Sequence, residues 1–287
     1  MPHIRRPWTL ARRLTALSLA MLLVLGTQPW FPWFRGTTTG TRLFDIVVLS
    51  DPLAALEQTL ATRHTHAELL WGAALLTAVA VVLGPVFCGW VCPLGFVLDL
   101  NDDLRRRLRG WGVQLPEWRA PKSARFVALG LAAGLSFTLG WPVFQTVSPI
   151  NFLAWGALFE PARRLLVVVA AVALVEYFAP RLWCRRLCPL GALYSLLGRF
   201  ALLRVRLDPR SAVRTPCRQC TTQCPLGIRV VEDYSLRQRV SVDHPDCTRC
   251  GNCLEVCPRN VMWLGFRVRP GPASPAAPGG CPPPPGV

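Results

Sequence analysis

Four long apolar segments dominate the first two thirds of the chain, at about residues 14–25, 69–87, 126–145 and 165–183. A helix needs about 20 mostly apolar residues to cross a bilayer, and the last three segments have that length. The first segment is shorter, but it follows four arginines and ends in aromatic residues of the kind that lie at membrane interfaces: Trp30, Phe31, Trp33 and Phe34. The pattern predicts a mainly α membrane protein with four transmembrane helices.

The first apolar segment is also similar to an export signal, because Arg12-Arg13-Leu14 resembles part of a twin-arginine motif. No cleavage site with small residues follows it. We interpret the segment as a retained first helix. Cleaved or retained, it leaves the predicted topology of the later helices unchanged.

The pattern changes near Leu202, where the long apolar segments end. Short alternating runs at 228–231 and 239–242 predict a small β-hairpin. After Pro270 the chain is mostly Pro, Gly and Ala, a composition typical of disorder. We therefore expect a transmembrane domain over residues 1–200, a cytoplasmic α+β ferredoxin-like domain over 201–269, and a Pro-rich tail over 270–287.

Composition supports the membrane interpretation and suggests an orientation. The chain is 52% hydrophobic and 17% charged, with a mean hydropathy of +0.33 and a net charge of +16. In a soluble protein that charge would favour nucleic acid. Here the predicted inner segments hold four, seven and sixteen of the 32 Arg and Lys residues, and the outer loops hold five. The positive-inside rule then predicts a bacterial inner-membrane protein with both termini in the cytoplasm, and no nucleic-acid partner.

Seven of the twelve cysteines lie in two runs near the carboxyl terminus. The second run, Cys247-x2-Cys250-x2-Cys253-x3-Cys257-Pro258, has the spacing of bacterial ferredoxin ligands to [4Fe–4S] clusters. In two-cluster ferredoxins the fourth cysteine of such a run ligates the other cluster. Cys-x2-Cys pairs also suit zinc, but zinc requires neither seven cysteines nor the Cys-Pro endings.

The first run, Cys217-x2-Cys220-x3-Cys224-Pro225, matches the last three ligands of that pattern, with Arg214 at the leading position. A guanidinium has no lone pair to offer iron. We expect two iron–sulfur clusters. One is a [4Fe–4S] cluster held by Cys224, Cys247, Cys250 and Cys253. The other has only Cys217, Cys220 and Cys257, and is incompletely ligated or of [3Fe–4S] type. Cys281, in the tail, is expected to be a free thiol.

An internal repeat brings four more cysteines to the inner ends of two predicted helices. Cys88-x3-Cys92 and Cys184-x3-Cys188 both continue as Cys-Pro-Leu-Gly. Residues four apart on a helix share a face, so each pair can present two thiols together. Two facing pairs would make a site for a cluster, a metal ion or a dithiol redox couple, and the sequence leaves these open. The duplication argues against cysteines that serve only as packing.

Three further residues are candidates for proton or metal chemistry. Glu176 is the one acid well inside a predicted span, where it would either take a proton from a quinol or pair with Arg181 or Arg185. His64 and His66, in the predicted polar outer loop over 35–68, would bind a metal, accept a proton or simply be solvated.

Together these features resemble the NapH-type membrane quinol dehydrogenase subunits associated with periplasmic nitrate reductase. The resemblance spans nearly all of residues 1–265. It rests on the four helices, the double ferredoxin run and the following motifs: Leu43-Phe44-Asp45, Asp51-Pro52-Leu53, both Cys-x3-Cys-Pro ends and the Cys188 to Tyr194 segment. It implies that the seven cysteines at 217–257 are cluster ligands, and that Cys88, Cys92, Cys184 and Cys188 are the family's paired membrane cysteines. Arg214 departs from the family pattern, which has a cysteine there.

The resemblance implies oxidation of membrane quinol, with electrons passed toward a periplasmic nitrate reductase through a ferredoxin-like subunit and a multihaem cytochrome. In that role the chain is a quinol dehydrogenase subunit that acts within a complex. An alternative is a membrane ferredoxin that supplies electrons for cofactor assembly or metal reduction, as in oxidase maturation. A redox sensor is a third hypothesis, although no additional sensor domain is visible in the sequence.

Overall fold

A computed structural model describes residues 7–26, 34–37, 40–43, 47–110, 123–152, 162–179, 181–208, 217–258 and 260–266. Arg214, Cys281 and the predicted Pro-rich tail lie outside these residues. The described part of the chain is mostly helical, with two small sheets.

Each of the four predicted apolar segments overlaps a helix. They are α1 (Pro7–Leu25), α3 (Ala67–Leu83), α6 (Ala124–Leu139) and α8 (Ala162–Phe178). Within the described ranges, no helix combines the length and the apolarity that crossing a membrane requires. The helices are thus present where the pattern predicts them, and their passage through a membrane stays a prediction.

Shorter helices connect these four. They are α2 (Pro52–Thr62), α4 (Val86–Trp90), α5 (Pro93–Gly110), α7 (Val143–Val147), a π-helical turn π1 (Trp183–Leu187) and α9 (Pro189–Gly198). Helix α3 ends at Gly84, which has a φ of 81° and is followed by Pro85. A residue without a side chain adopts this backbone conformation without strain, and the proline cannot continue the helix. The chain therefore turns just before Cys88.

The segment predicted as a polar outer loop is structured, and part of it is buried. It contains the antiparallel strands β1 (Phe34–Thr37), β2 (Gly40–Leu43) and β3 (Val47–Ser50), followed by α2. Asp51, Leu53 and Glu57 are almost fully buried. The prediction of a polar loop was wrong here because it overlooked the start of a helix. Pro52 occupies the first turn, where a missing backbone N–H costs nothing.

The helical part of the protein has one apolar core, which includes both repeated motifs. Cys92 and Cys188 are buried in it, and Cys88 and Cys184 pack against it at the edge. The core draws residues from α2, α3, α5, α6, α7 and α9: Leu53, Ala80, Leu94, Leu98, Ala132, Phe144, Leu190 and Tyr194, with Ile150 after α7. Leu53, which lies inside the predicted outer loop over 35–68, thus packs in the same core as the paired cysteines.

The carboxyl-terminal domain is a small α+β unit. Strand β4 (Leu203–Leu207) lies between β5 (Ser241–Val242) and β6 (Met262–Phe266), all antiparallel. Short turns complete the unit: α10 (Gln219–Thr222), a π-helical turn π2 (Val231–Ser235) and α11 (Asn252–Glu255). The predicted hairpin was wrong, since 231–235 is helical and β5 pairs with β4. Val230, Val231 and Tyr234 are buried by packing around the cysteines instead of by strand pairing.

Helix α2 offers a direct test of the core. Leu53 is fully buried, whereas Leu56 on the same helix is 41% exposed. We predict that Leu53→Ala lowers the free energy of unfolding by about 2–5 kcal/mol, because it removes buried methyl groups and leaves a cavity. Leu56→Ala is the matched control and should change it by less than about 1 kcal/mol. Denaturant titration of the detergent-solubilised protein measures both, and equal effects would contradict the burial of α2.

Candidate iron–sulfur and paired-thiol sites

One cavity of the carboxyl-terminal domain collects cysteines from both runs. Its lining includes four cysteines: Cys224, Cys247, Cys250 and Cys253. We call these residues the four-cysteine site. Cys224 comes from the first run and the other three come from the second. The structure thus brings together the same four residues that the two-cluster ferredoxin spacing groups.

The lining of a second cavity includes Cys217, Cys220 and Cys257. We call these the three-cysteine site. Here two cysteines come from the first run and one from the second, so the runs cross over. Cys217 is disulfide-bonded in this structure. A disulfide sulfur must be reduced before it can serve as a thiolate ligand, because the thiolate is the form that binds metal.

The electrostatics of the thiols reflect the same crossed grouping. Burial, together with repulsion from Cys257, raises the pKa of Cys220 to about 12. Burial, together with repulsion from Cys250, raises the pKa of Cys224 to about 11. Among the described residues, no three Cys, His, Asp or Glu side chains form a group suited to a single metal ion. The cysteines instead line the two cavities. A positively charged group bound inside each cavity would favour the ionised thiolates.

The repeated Cys-Pro-Leu-Gly motif places a sulfur at the start of a helix. Cys188 is the N-cap of α9 and accepts a hydrogen bond from the Gly191 backbone N–H at 3.3 Å. At the first motif, the backbone around Leu94 and Gly95 at the start of α5 favours the ionised form of Cys92 and partly offsets the rise in its pKa that burial causes. Helix N-termini stabilise negative charge, which suits a thiolate ligand.

The proline and the glycine of the Cys-Pro-Leu-Gly motif each have a structural role. Pro189 takes the first helical position, where its missing N–H is not needed. A Cβ on Gly95 would lie 2.8 Å from the carbonyl oxygen of Cys88, and one on Gly191 would lie 3.4 Å from that of Cys184. The first cysteine of each pair lies on a preceding turn, α4 or π1, so each pair spans a break between two helices instead of sharing one helical face.

The two pairs meet in the core. Burial raises the pKa of all four thiols, and repulsion from the other cysteines raises it further for Cys88, Cys184 and Cys188. Cys88 interacts with each of the other three. We call Cys88, Cys92, Cys184 and Cys188 the paired-motif site. The structure therefore brings together the two halves of the repeat, as the duplication predicts.

Glu176 holds the turn that leads into the second motif. Its two carboxylate oxygens accept hydrogen bonds from the backbone N–H groups of Leu182 and Trp183, each at 2.9 Å. Both oxygens are therefore engaged in fixing the backbone just before Cys184. In this arrangement Glu176 is a positioning residue.

A buried ionic group connects the two motifs. Arg181, three residues before Cys184, forms ion pairs with Asp99 and, at 2.7 Å, with Asp102 on α5. Arg12 of α1 forms an ion pair with Asp99 at 2.5 Å and donates a hydrogen bond to the Cys250 carbonyl at 3.4 Å. These contacts tie the first helix, both motifs and the four-cysteine site to one another.

Two residues beside the paired-motif site were not among the predicted site residues. The Tyr194 hydroxyl donates to Asp51 Oδ1 at 3.4 Å, and its ring stacks on Phe87, next to Cys88. Burial raises the pKa of Asp51 to about 7. Both residues belong to segments quoted for the family resemblance, but no local signal indicates that the chain brings them together. His64 and His66 are exposed, and neither lines one of the two cysteine cavities.

Family models match both parts of the chain. A 4Fe-4S binding domain matches residues 65–112 and again 162–209, so each match contains one Cys-x3-Cys-Pro motif. A 4Fe-4S dicluster domain matches residues 215–262, which contain both cysteine runs. No solved structure matches the chain.

Curated relatives cover most of the chain. The ferredoxin-type protein NapH of Haemophilus influenzae is 34% identical over 264 residues, covering 89% of this chain and 88% of the relative. NapH of Escherichia coli is 30% identical over 91% of each chain. The methylamine utilization ferredoxin-type protein MauN of Paracoccus denitrificans is 29% identical over 92% of each. With the cysteine-lined cavities and the dicluster match, these likenesses show that the chain belongs to the NapH-type family of iron–sulfur, ferredoxin-type electron-transfer proteins.

Proposed function

We propose that this chain oxidises quinol in the bacterial inner membrane and passes the electrons toward a periplasmic nitrate reductase. The observation that carries the proposal is the contact between an iron–sulfur domain and a helical domain with an apolar exterior. A lipid-soluble electron carrier reaches such a helical domain directly. The choice of quinol and of the nitrate reductase system follows from the resemblance to the NapH-type family described under Sequence analysis; the ferredoxin-type proteins named NapH are 30% and 34% identical to this chain.

The exposed faces of the four long helices support the membrane location. Large apolar side chains are exposed on each helix, for example Met21 at 65%, Trp71 at 77%, Leu131 at 58% and Val167 at 64%. Exposed apolar surface of this extent is unfavourable in water and marks contact with a membrane or a partner. Together with the inner-side excess of Arg and Lys, it favours insertion with both termini in the cytoplasm.

The cysteine cavities fit the clusters that the dicluster match implies. We assign Cys224, Cys247, Cys250 and Cys253 to one [4Fe–4S] cluster, and Cys217, Cys220 and Cys257 to the other. When bound, such clusters supply one-electron transfer. The chain's own residues hold the clusters by their thiolates and exclude water with the buried side chains of Val230, Val242 and Ile228.

The paired-motif site is the proposed point of entry for electrons. Its four thiols lie in the apolar core of the helical domain, where a quinol head group would approach. A ferredoxin-like subunit and a multihaem cytochrome are the proposed partners downstream. In this proposal the chain itself holds its redox sites in order between the membrane quinol and those partners.

A second candidate is a membrane ferredoxin that supplies electrons for cofactor assembly or metal reduction. The MauN relatives are named for methylamine utilization, so ferredoxin-type proteins similar to this chain are not all connected with one metabolic process. The two candidates differ in the electron donor. Reduction of the clusters by quinol supports the first, and reduction only by a soluble donor supports the second.

The three-cysteine site should hold the weaker of the two clusters. After anaerobic reduction and reconstitution with iron and sulfide, mild oxidation should produce a [3Fe–4S] EPR signal from one cluster, because that site lacks a fourth thiolate. Cys220→Ala should abolish this signal, because it leaves only two thiolates in that site. Cys281→Ala should change neither cluster, and two equally robust [4Fe–4S] clusters in that variant would show that the ligand assignment is wrong.

Cys88→Ser and Cys184→Ser should abolish reduction of the clusters by quinol. Each variant breaks the paired-motif site but leaves the seven carboxyl-terminal cysteines intact. A reduced quinol analogue is mixed anaerobically with the protein, and bleaching of the visible cluster absorbance is followed. Dithionite should still bleach both variants, which controls for cluster assembly. Cys281→Ser is the matched cysteine control, and wild-type quinol kinetics in Cys88→Ser would mean that the motif is structural.

Topology is testable independently of redox chemistry. A reporter fused after Phe266 should be active only if it functions in the cytoplasm, and one inserted near Thr38 only if it functions outside. The reason is the distribution of Arg and Lys between the predicted inner and outer segments. Alkaline phosphatase and green fluorescent protein fusions measure the two sides, and an outward carboxyl terminus would contradict the proposed orientation.

A further inference from the structure

The first repeated motif touches the second cysteine run directly. A Cβ placed on Gly89, next to Cys88, would lie 3.1 Å from both the Cβ and the carbonyl oxygen of Thr248. The neighbouring Trp90 donates its indole N–H to the Arg249 carbonyl oxygen at 3.2 Å. Thr248 and Arg249 lie between Cys247 and Cys250. The loop that supplies two thiols of the four-cysteine site therefore rests on the turn that carries Cys88.

The second motif touches the first cysteine run at the corresponding position. Arg185, next to Cys184, donates to the carbonyl oxygen of Pro225 from Nε at 3.0 Å and from Nη2 at 2.5 Å. Gly227 has a φ of 67°, and a Cβ there would lie 3.2 Å from the Arg185 guanidinium. Pro225 follows Cys224 directly. The loop that follows Cys224, a third thiol of the four-cysteine site, is therefore held by the turn that carries Cys184.

Both contacts lead to the same cavity. Cys224, Pro225, Thr248 and Arg249 all line the four-cysteine site. The three-cysteine site has a different lining, with residues from π2 and from β6: Val231, Ser235 and Met262. Its Cys220 interacts electrostatically with Cys257 and with Cys224, and Cys224 in turn interacts with Arg185. The second motif thus lies next to the four-cysteine site, and the four-cysteine site lies next to the three-cysteine site.

We propose that the four-cysteine site is the immediate redox neighbour of the paired-motif site, and that the three-cysteine site is the terminal one, from which electrons leave the chain. Gly89 and Arg185 set this order by fixing one cysteine loop each. The direction of flow rests on the proposed quinol oxidation, but the spatial order does not. An iron–sulfur cluster held by Cys88, Cys92, Cys184 and Cys188, of the kind that the 4Fe-4S binding domain matches over both motifs imply, would give up one electron for each electron that a cluster in the four-cysteine site gains. A cluster held by the three-cysteine site would take that electron in turn and pass it to a partner electron carrier.

The order is tested by a radical probe close to the paired-motif site. A trityl radical, which withstands dithionite, is attached through a genetically encoded ketone side chain at Leu187, a residue that is 38% exposed. The full-length protein is reconstituted and reduced with dithionite, so that quinol plays no part. The spin–lattice relaxation of the radical is then measured in the wild type, Cys220→Ala and Cys253→Ala, with the Cys220→Ala/Cys253→Ala double variant as the baseline, so that any group held by the paired-motif site contributes equally throughout.

Since paramagnetic relaxation falls steeply with distance, Cys220→Ala should keep the wild-type enhancement and Cys253→Ala should lose most of it. The reverse pattern, or equal losses in the two variants, would overturn the order. If Cys253→Ala assembles neither cluster, Cys220→Ala decides alone, because loss of enhancement there with the four-cysteine signal intact contradicts the proposal. A failure of quinol to reduce the clusters would leave this measurement unaffected, so the two proposals fail separately.

Discussion

The buried ion group of Arg181 with Asp99 and Asp102 is the interaction on which the arrangement of thiols depends. Arg181 precedes the second motif and both aspartates follow the first, so the group fixes the distance between the repeats. A charge buried in this way is costly without its partners, and removal of one partner of a buried pair typically costs about 3–5 kcal/mol. Arg12 extends the group to α1 and to the Cys250 loop. One charged cluster therefore positions both domains.

Around that group the chain uses backbone devices to present sulfur. Each motif breaks a helix so that the second cysteine caps the next one, and Glu176 holds the backbone that leads into Cys184. Within each motif, proline, glycine and the helix N-terminus position the second cysteine. The short repeat Cys-Pro-Leu-Gly thus sets the local geometry of each pair, whereas Glu176 and the ion group set how the two pairs meet.

The sequence could predict the features that follow from the spacing and periodicity of residues along the chain. These are the helices, the crossed grouping of the seven carboxyl-terminal cysteines and the pairing of the two motifs. The buried position of Asp51 beside Tyr194 depends on how α2 packs, which no local pattern expresses. The same holds for the π2 turn, where buried packing around the cysteines replaced the strand that alternation predicted.

The repeat is symmetric in its cysteines but not in the residue that follows the first one, and the asymmetry has a physical cause. Gly89 meets the Thr248 backbone so closely that a larger residue would have to displace it. Arg185 donates two hydrogen bonds to the carbonyl oxygen of Pro225, which a glycine at that position could not do. A symmetric thiol site is thereby joined to an asymmetric cluster domain by two different contacts, and each contact ends on a loop of the same four-cysteine site.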